Sequence, residues 1–294
     1  MYSHIASNRR KSFLLVALFV GILAAAGYLF GYLNGSGYFG LAFALIVSLG
    51  MTAVSWFWGD KIVLSSTGAK RIESRDQNPY LWNLVENLSI TAGLPMPALY
   101  IVDDPAPNAF ATGRDPKRAS IAVTTGIVQM LENEELEGVL AHELSHVKNY
   151  DMRFMMLVAV LVGALTIMGD SFFRFGLFRG RGRRSGGGVL AIVGLVFLIL
   201  SPIIGELIKF AVSRSREYLA DASGVLLTRY PEGLARALEK ISAYNQPMQR
   251  ASRATAHLWI SSPFGPSRSK ASWFSTHPPA EERIHRLRLM ADAR

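Results

Sequence analysis

A chain of 294 residues with 50 % hydrophobic side chains and a mean hydropathy of +0.23 is too apolar for an ordinary water-soluble domain and points to membrane segments. The absence of cysteine excludes a disulfide framework and any thiolate metal site, so a bound metal would have to rest on His and carboxylate. Most of the net charge of +9 lies after residue 208; without a nucleic-acid recognition module, we read that part as facing an anionic membrane rather than nucleic acid.

In chain order, Arg9, Arg10 and Lys11 precede an uncharged apolar run over 13–33, long enough to span a bilayer. A second run, 38–58, follows a short polar turn, so the pair predicts a membrane hairpin over 1–58 rather than a cleaved signal peptide. The basic N-terminus places both ends of this hairpin in the cytoplasm. Residues 59–153 then have the composition of a soluble domain. Short strands are expected at 61–64, 99–102 and 121–124, and Pro79 opens a helix with Leu81, Leu84, Val85 and Leu88 on one face and Gly93 at its end. The segment Asn108-Ala109-Phe110 reads by itself as an ordinary passage from loop to strand.

The next helix carries the chemistry. Asn133 is the expected N-cap, and Glu134, Glu135 and Glu137 suit the positive end of the helix dipole. His142 and His146 are four residues apart, so both imidazoles project from one face and can grip one metal ion. Glu143 lies beside them, where it can reach a water on that metal; this is the H-E-x-x-H arrangement of zinc hydrolases. Strands followed by such a helix predict an α+β, zincin-like domain whose edge strand can pair with an extended substrate.

Two further apolar runs, 154–168 and 189–208, flank Arg174, Arg179, Arg181, Arg183 and Arg184. Two spans would put those arginines on the outside, against the positive-inside rule; a partly buried hairpin would keep them in the cytoplasm. Any later metal ligand must share a side with His142, so the crossings between them are even in number, and we expect two over 154–208. Residues 209–294 form the last, cytoplasmic part. There Glu217 and Asp221 sit one helical turn apart. Taken alone, Glu217 would be an exposed acid pairing with Arg214 or Arg216. Beside a two-His site that lacks a protein ligand, it becomes the candidate third ligand, with Asp221 accepting the ring N–H of a ligand histidine. His4, His257 and His285 stand in no motif and are expected at the surface or in packing.

Together, Pro107-Asn108-Ala109-Phe110-Ala111-Thr112-Gly113, Thr124-Thr125-Gly126, the stretch 137–146, Arg216-Glu217-Tyr218-Leu219-Ala220-Asp221 and Thr276-His277-Pro278-Pro279 resemble the HtpX family of bacterial heat-shock membrane metalloproteases, relatives of the CAAX prenyl proteases. The resemblance covers nearly the whole chain. It implies one zinc ion per chain held by His142, His146 and Glu217, with Glu143 as general base. It also implies a multi-pass protein of the bacterial inner membrane, with its active site toward the cytoplasm, hydrolysing misfolded or damaged membrane proteins, with other membrane quality-control proteases as candidate partners. His277 is the candidate donor to the oxyanion, a helix-capping surface role being the alternative, and Asn108, Ala109 and Phe110 are the candidate substrate-binding strand. A narrower prenyl-protein processing enzyme and a non-catalytic scaffold with structural zinc are the rival readings.

Overall fold

Residues 2–33, 35–179, 214–265 and 278–292 are described by the computed structural model. Helices α1 (Tyr2–Leu33) and α2 (Gly37–Thr67) form the N-terminal hairpin. Among the described residues these two are long and apolar enough to cross a membrane, over Arg10–Tyr32 and Gly37–Thr67, and only 17 % of each apolar window is buried in the protein. Phe13, Phe39, Phe43 and Ile46 point outward, as lipid-facing side chains do. The helices touch backbone to backbone: a Cβ at Gly40 would stand 2.2 Å from the Gly27 carbonyl oxygen, so only glycine fits that crossing.

The strand expected at 61–64 is helix. Gly59 follows Trp58 without ending the helix: it is buried, where a Cβ would stand 3.1 Å from the Met156 sulfur, and α2 runs on to Thr67, capped by Gly68 in the left-handed region (φ 72). Val63 and Leu64 are thereby carried out of the hairpin into a core they share with Phe110, Met156 and Trp259. The same helix therefore crosses the composition boundary at residue 59 without interruption.

Strands β1 (Lys70–Ile72), β2 (Ala98–Val102), β3 (Ala109–Thr112) and β4 (Ser120–Thr124) form one sheet in the order β1-β2-β4-β3, with β2 parallel to β4 and the other two pairs antiparallel. Between β1 and β2 lies α3 (Pro79–Ala92), which begins at the Asn78 cap and ends at Gly93 as its sequence predicts. Both sheet faces are covered. Leu99, Ala109, Ala111, Ile121 and Val123 turn toward the helices, while Val102, Phe110 and Ala122 turn toward Trp259 and the end of α2. The architecture is the α+β arrangement expected, with β3 at the edge.

After the short α4 (Thr125–Met130) comes α5 (Asn133–Lys148), whose N-cap is Glu132 rather than Asn133. The Glu135 carboxylate accepts the Glu132 backbone N–H at 2.9 Å and so fixes the start one residue earlier than expected. Tyr150 in the left-handed region (φ 60) then reverses the chain directly into α6 (Asp151–Arg179). This helix contains the run 154–168 and continues through Arg174 and Arg179, which are therefore helical rather than in a loop. The run 189–208 and Arg181, Arg183 and Arg184 lie outside the described residues. Near its start, α6 packs along α1: Leu15, Phe19 and Leu23 share a cluster with Phe154, Leu157, Val158, Leu161, Val162 and Leu165.

Helices α7 (Arg214–Thr228), α8 (Pro231–Ala243) and α9 (Ala280–Asp292) complete the domain around α5. Contact between α5 and α8 rests on two glycines: a Cβ at Gly138 would lie 2.7 Å from the Leu234 backbone nitrogen, and one at Gly233 2.5 Å from the Glu134 carbonyl oxygen. Gly138→Val should therefore destabilise the protein by about 1–3 kcal/mol or more through overpacking, read as a lower melting temperature in detergent. An unchanged melting temperature would mean the two helices can part without cost.

Candidate metal centre

His142 and His146 stand one turn apart on α5, and Glu217 comes from the first turn of α7. Their facing atoms converge: His142 Nε2 lies 3.2 Å from His146 Nε2, and the Glu217 carboxylate 3.8 Å and 3.6 Å from these two nitrogens. Donors bonded tetrahedrally to zinc at 2.0–2.1 Å would be separated by about 3.3 Å, close to this spacing. All three residues are buried. They could hold a single metal ion.

The outer contacts show why that ion would be a cation's place rather than a hydrogen-bonded His pair. His142 Nδ1 is 2.8 Å from Asp221 Oδ1, and His146 Nδ1 is 3.2 Å from Asp151 Oδ2. A proton on each Nδ1 satisfies these carboxylates and leaves both Nε2 atoms as bare lone pairs facing each other and a carboxylate. The two nitrogens and the carboxylate oxygens turned toward them are all acceptors, and they repel one another unless positive charge lies between them. Burial lowers the pKa of His142. Burial would lower His146 too, but the hydrogen bond to Asp151 and the charges of Glu217, Asp151 and Glu143 outweigh it and raise it to about 9. The field of the site favours a positive charge, and an imidazole bound to a metal is neutral.

Asp221 is itself clamped. Arg283 on α9 donates to it from Nε at 2.9 Å and from Nη2 at 2.6 Å, and its Nη1 lies 3.6 Å from Glu217 Oε2. Burial disfavours the Asp221 carboxylate, yet Arg283 and His142 outweigh burial and hold its pKa at about 2. Neither Arg283 nor Asp151 carries a sequence signal that marks it for this site. Arg283 is one of several charged residues in a surface-like helix, and Asp151 follows the motif helix by a turn whose direction no local pattern reveals.

Glu143 is 2 % exposed and stands outside the three-residue cluster. Its carboxylate accepts the backbone N–H of Ala111 on the edge strand. Burial is the main cause that raises its pKa to about 7; Glu217 also raises it, against the opposing charges of His146 and Arg283.

The edge strand itself is partly engaged. Because Asn108 O accepts from Thr124 N, alternation turns the backbone groups of Ala109 and Ala111 away from β4. The Ala109 carbonyl accepts from Ile260 N–H at 2.9 Å, and the Asn108 side chain donates to Ser261 O at 3.0 Å and accepts from Ser261 N at 3.2 Å. Phe110 packs edge-on against Trp259, with ring centroids 4.6 Å apart. His277 lies outside the described residues. His257 is buried and hydrogen-bonded to Met155 O at 3.0 Å, a packing role, while His285 is exposed.

A model of peptidase family M48 matches residues 75–291. The protease HtpX homologue of Tropheryma whipplei (strain Twist) is 51 % identical over 296 residues, covering 99 % of each chain. That of Dictyoglomus turgidum is 45 % identical over 291 residues, covering 99 % of this chain and 95 % of its own. The crystal structure of S. mikatae Ste24p is similar with a TM-score of 0.50 at 20 % identity, over 98 % of this chain and 67 % of that one, which speaks for a shared fold alone. With its membrane-capable helices and buried metal site, the chain is a membrane metallopeptidase, and it belongs to peptidase family M48 and to the HtpX proteases within its full-length relatives.

Proposed function

We propose that this protein is a zinc-dependent endopeptidase of the bacterial inner membrane, spanning it more than once and hydrolysing misfolded or damaged membrane proteins on the cytoplasmic side. The observation that carries the reading is the convergence of His142 Nε2, His146 Nε2 and Glu217 in one buried site with Glu143 beside it but not among the three. A structural zinc takes four protein ligands; a cluster of three, among the described residues, suits a catalytic ion. Zinc bound there would polarise the scissile carbonyl and lower the pKa of a water.

The protein's own groups supply the rest. Glu143, with a pKa raised to about 7, is poised to accept a proton from the attacking water and return it to the leaving amine near neutral pH. Asp221 and Asp151 hold the two imidazoles in the tautomer that turns Nε2 inward. His277 would donate to the oxyanion. Asn108, Ala109 and Phe110 lie along the substrate edge: a peptide added to β3 meets the outward carbonyl of Ala111 first. Extending its pairing to Ala109 requires it to displace Ile260, and reaching the Asn108 side chain requires it to displace Ser261. Arg9, Arg10 and Lys11, in the first turns of α1 ahead of its apolar stretch, support the cytoplasmic placement of the site.

Purified protein should contain about one zinc per chain and cleave unfolded casein, lose cleavage on chelation, and regain it with zinc. A zinc-loaded protein that spares casein but trims a prenylated tetrapeptide terminus would favour the narrower processing enzyme. Failure to cleave either would favour a scaffold.

A further inference from the structure

Each ligand histidine is oriented by a carboxylate, and each carboxylate is held by a donor from elsewhere in the chain. For His142 the series is Asp221 and Arg283. For His146 it is Asp151 and Asn8. Asn8 belongs to α1, just before the membrane-capable stretch that begins at Arg10, and it is 3 % exposed. Its Nδ2 donates to Asp151 Oδ1 at 2.5 Å and to the Asn149 carbonyl at 3.1 Å. It thus pins both ends of the three-residue turn, with Tyr150 at its centre, that links the ligand helix α5 to α6. Asp151 Oδ2 is left to accept from His146 Nδ1 at 3.2 Å.

A carboxylate 2 % exposed at the start of a helix could rotate either oxygen toward the imidazole or away from it. With Oδ1 tied to Asn8, Oδ2 has one direction, and His146 one tautomer and one ring orientation. Arg216 on α7 also faces Asp151. Asn8 adds a neutral donor bound to one particular oxygen, Oδ1, and to the Asn149 carbonyl at once.

We propose that Asn8 is a positioning residue of the metal centre, acting through Asp151 on His146, so that the first turns of the hairpin helix α1 are part of the peptidase site. This rests on the reading of His142, His146 and Glu217 as metal ligands. It makes metal affinity depend on the contact between Asn8 and Asp151 at the head of α1, and not on how tightly the rest of α1 packs along α6.

The test uses the full chain in detergent micelles or nanodiscs. Zinc affinity is measured by competition with a chromophoric chelator, and ligand geometry by the visible absorption of the cobalt-substituted protein. Asn8→Ala should weaken zinc binding by about 10–100-fold and alter the cobalt spectrum. Leu15→Ala, which thins the packing of α1 on α6 without touching Asp151, should lower the melting temperature and leave both metal readouts unchanged. In the Asp151→Asn background, Asn8→Ala should cost much less than in the wild type, because the two act through one contact. The cycle still decides the matter if Asn8→Ala alone is poorly folded, since Asn8→Gln, retaining the donor, should then recover part of the affinity. Wild-type affinity and spectrum for Asn8→Ala, or an equal loss for Leu15→Ala, would overturn the proposal while leaving the peptidase reading intact. A wild-type protein that binds no zinc would instead overturn the peptidase reading.

Discussion

Glu143→Gln is expected to reduce peptide hydrolysis by about 10²–10⁴-fold, the contribution of a well-placed general base, while the metal content stays at the wild-type level. The two halves of this expectation come from different contacts. Metal retention follows from the cluster, which is complete with His142, His146 and Glu217 and does not draw on Glu143. Loss of activity follows from chemistry, because an amide cannot take the proton of the attacking water. Shape is conserved: Gln fills the same buried space, and its carbonyl oxygen can still accept the Ala111 N–H. Nor should the melting temperature fall, since the substitution removes a carboxylate that burial and Glu217 both disfavour in its charged form. Zinc analysis, a melting curve and single-turnover casein cleavage on the same preparation make the check. Cleavage at the wild-type rate would remove Glu143 from the mechanism. Loss of zinc would make it a ligand instead.

The inner half of the site was legible in the sequence for a physical reason. His142 with His146, and Glu217 with Asp221, are each four apart, and the helical repeat converts that spacing into one face whatever the tertiary structure does. The outer half was not. Arg283, Asp151 and Asn8 reach the site from α9, from the turn after α5 and from the head of α1, and only the packing of those elements gives them a common point. Arg283 looks no different from Arg286 and Arg288 in the same helix; what separates them is that it alone of the three is buried. The misreading at 61–64 has a similar origin. Four residues of mixed polarity after an apolar run resemble a strand, yet the helix already in progress continues until Gly68 stops it. The hold of Ile260 and Ser261 on β3 had no local signal, since a strand edge is filled by whatever segment the fold delivers to it.

The burial that hides Arg283 from a sequence reader makes its removal the most damaging single change for stability. Arg283→Ala leaves Asp221 and Glu217 inside the protein without the cation that faces both. Breaking a buried ion pair from one side costs about 3–5 kcal/mol, because the remaining charge has no solvent to turn to. Burial disfavours the guanidinium, but Asp221, Glu217 and Glu143 outweigh it and raise the pKa of Arg283, so it is charged at every working pH. The loss should be largest in chelated protein. Bound zinc would itself bring positive charge to Glu217, and binding to the folded state alone adds stability by mass action, so saturating zinc should recover part of the melting temperature. Arg283→Lys keeps the charge but not the two-pronged bond to Asp221, and should fall between Ala and the wild type. Arg286→Ala, which loses only an exposed pair with Glu282 and a contact on Tyr218, should melt close to the wild type. A metal-free Arg283→Ala protein that melts with the wild type would show that Asp221 and Glu217 bind protons in its place, and the clamp on His142 would then be weaker than its geometry indicates.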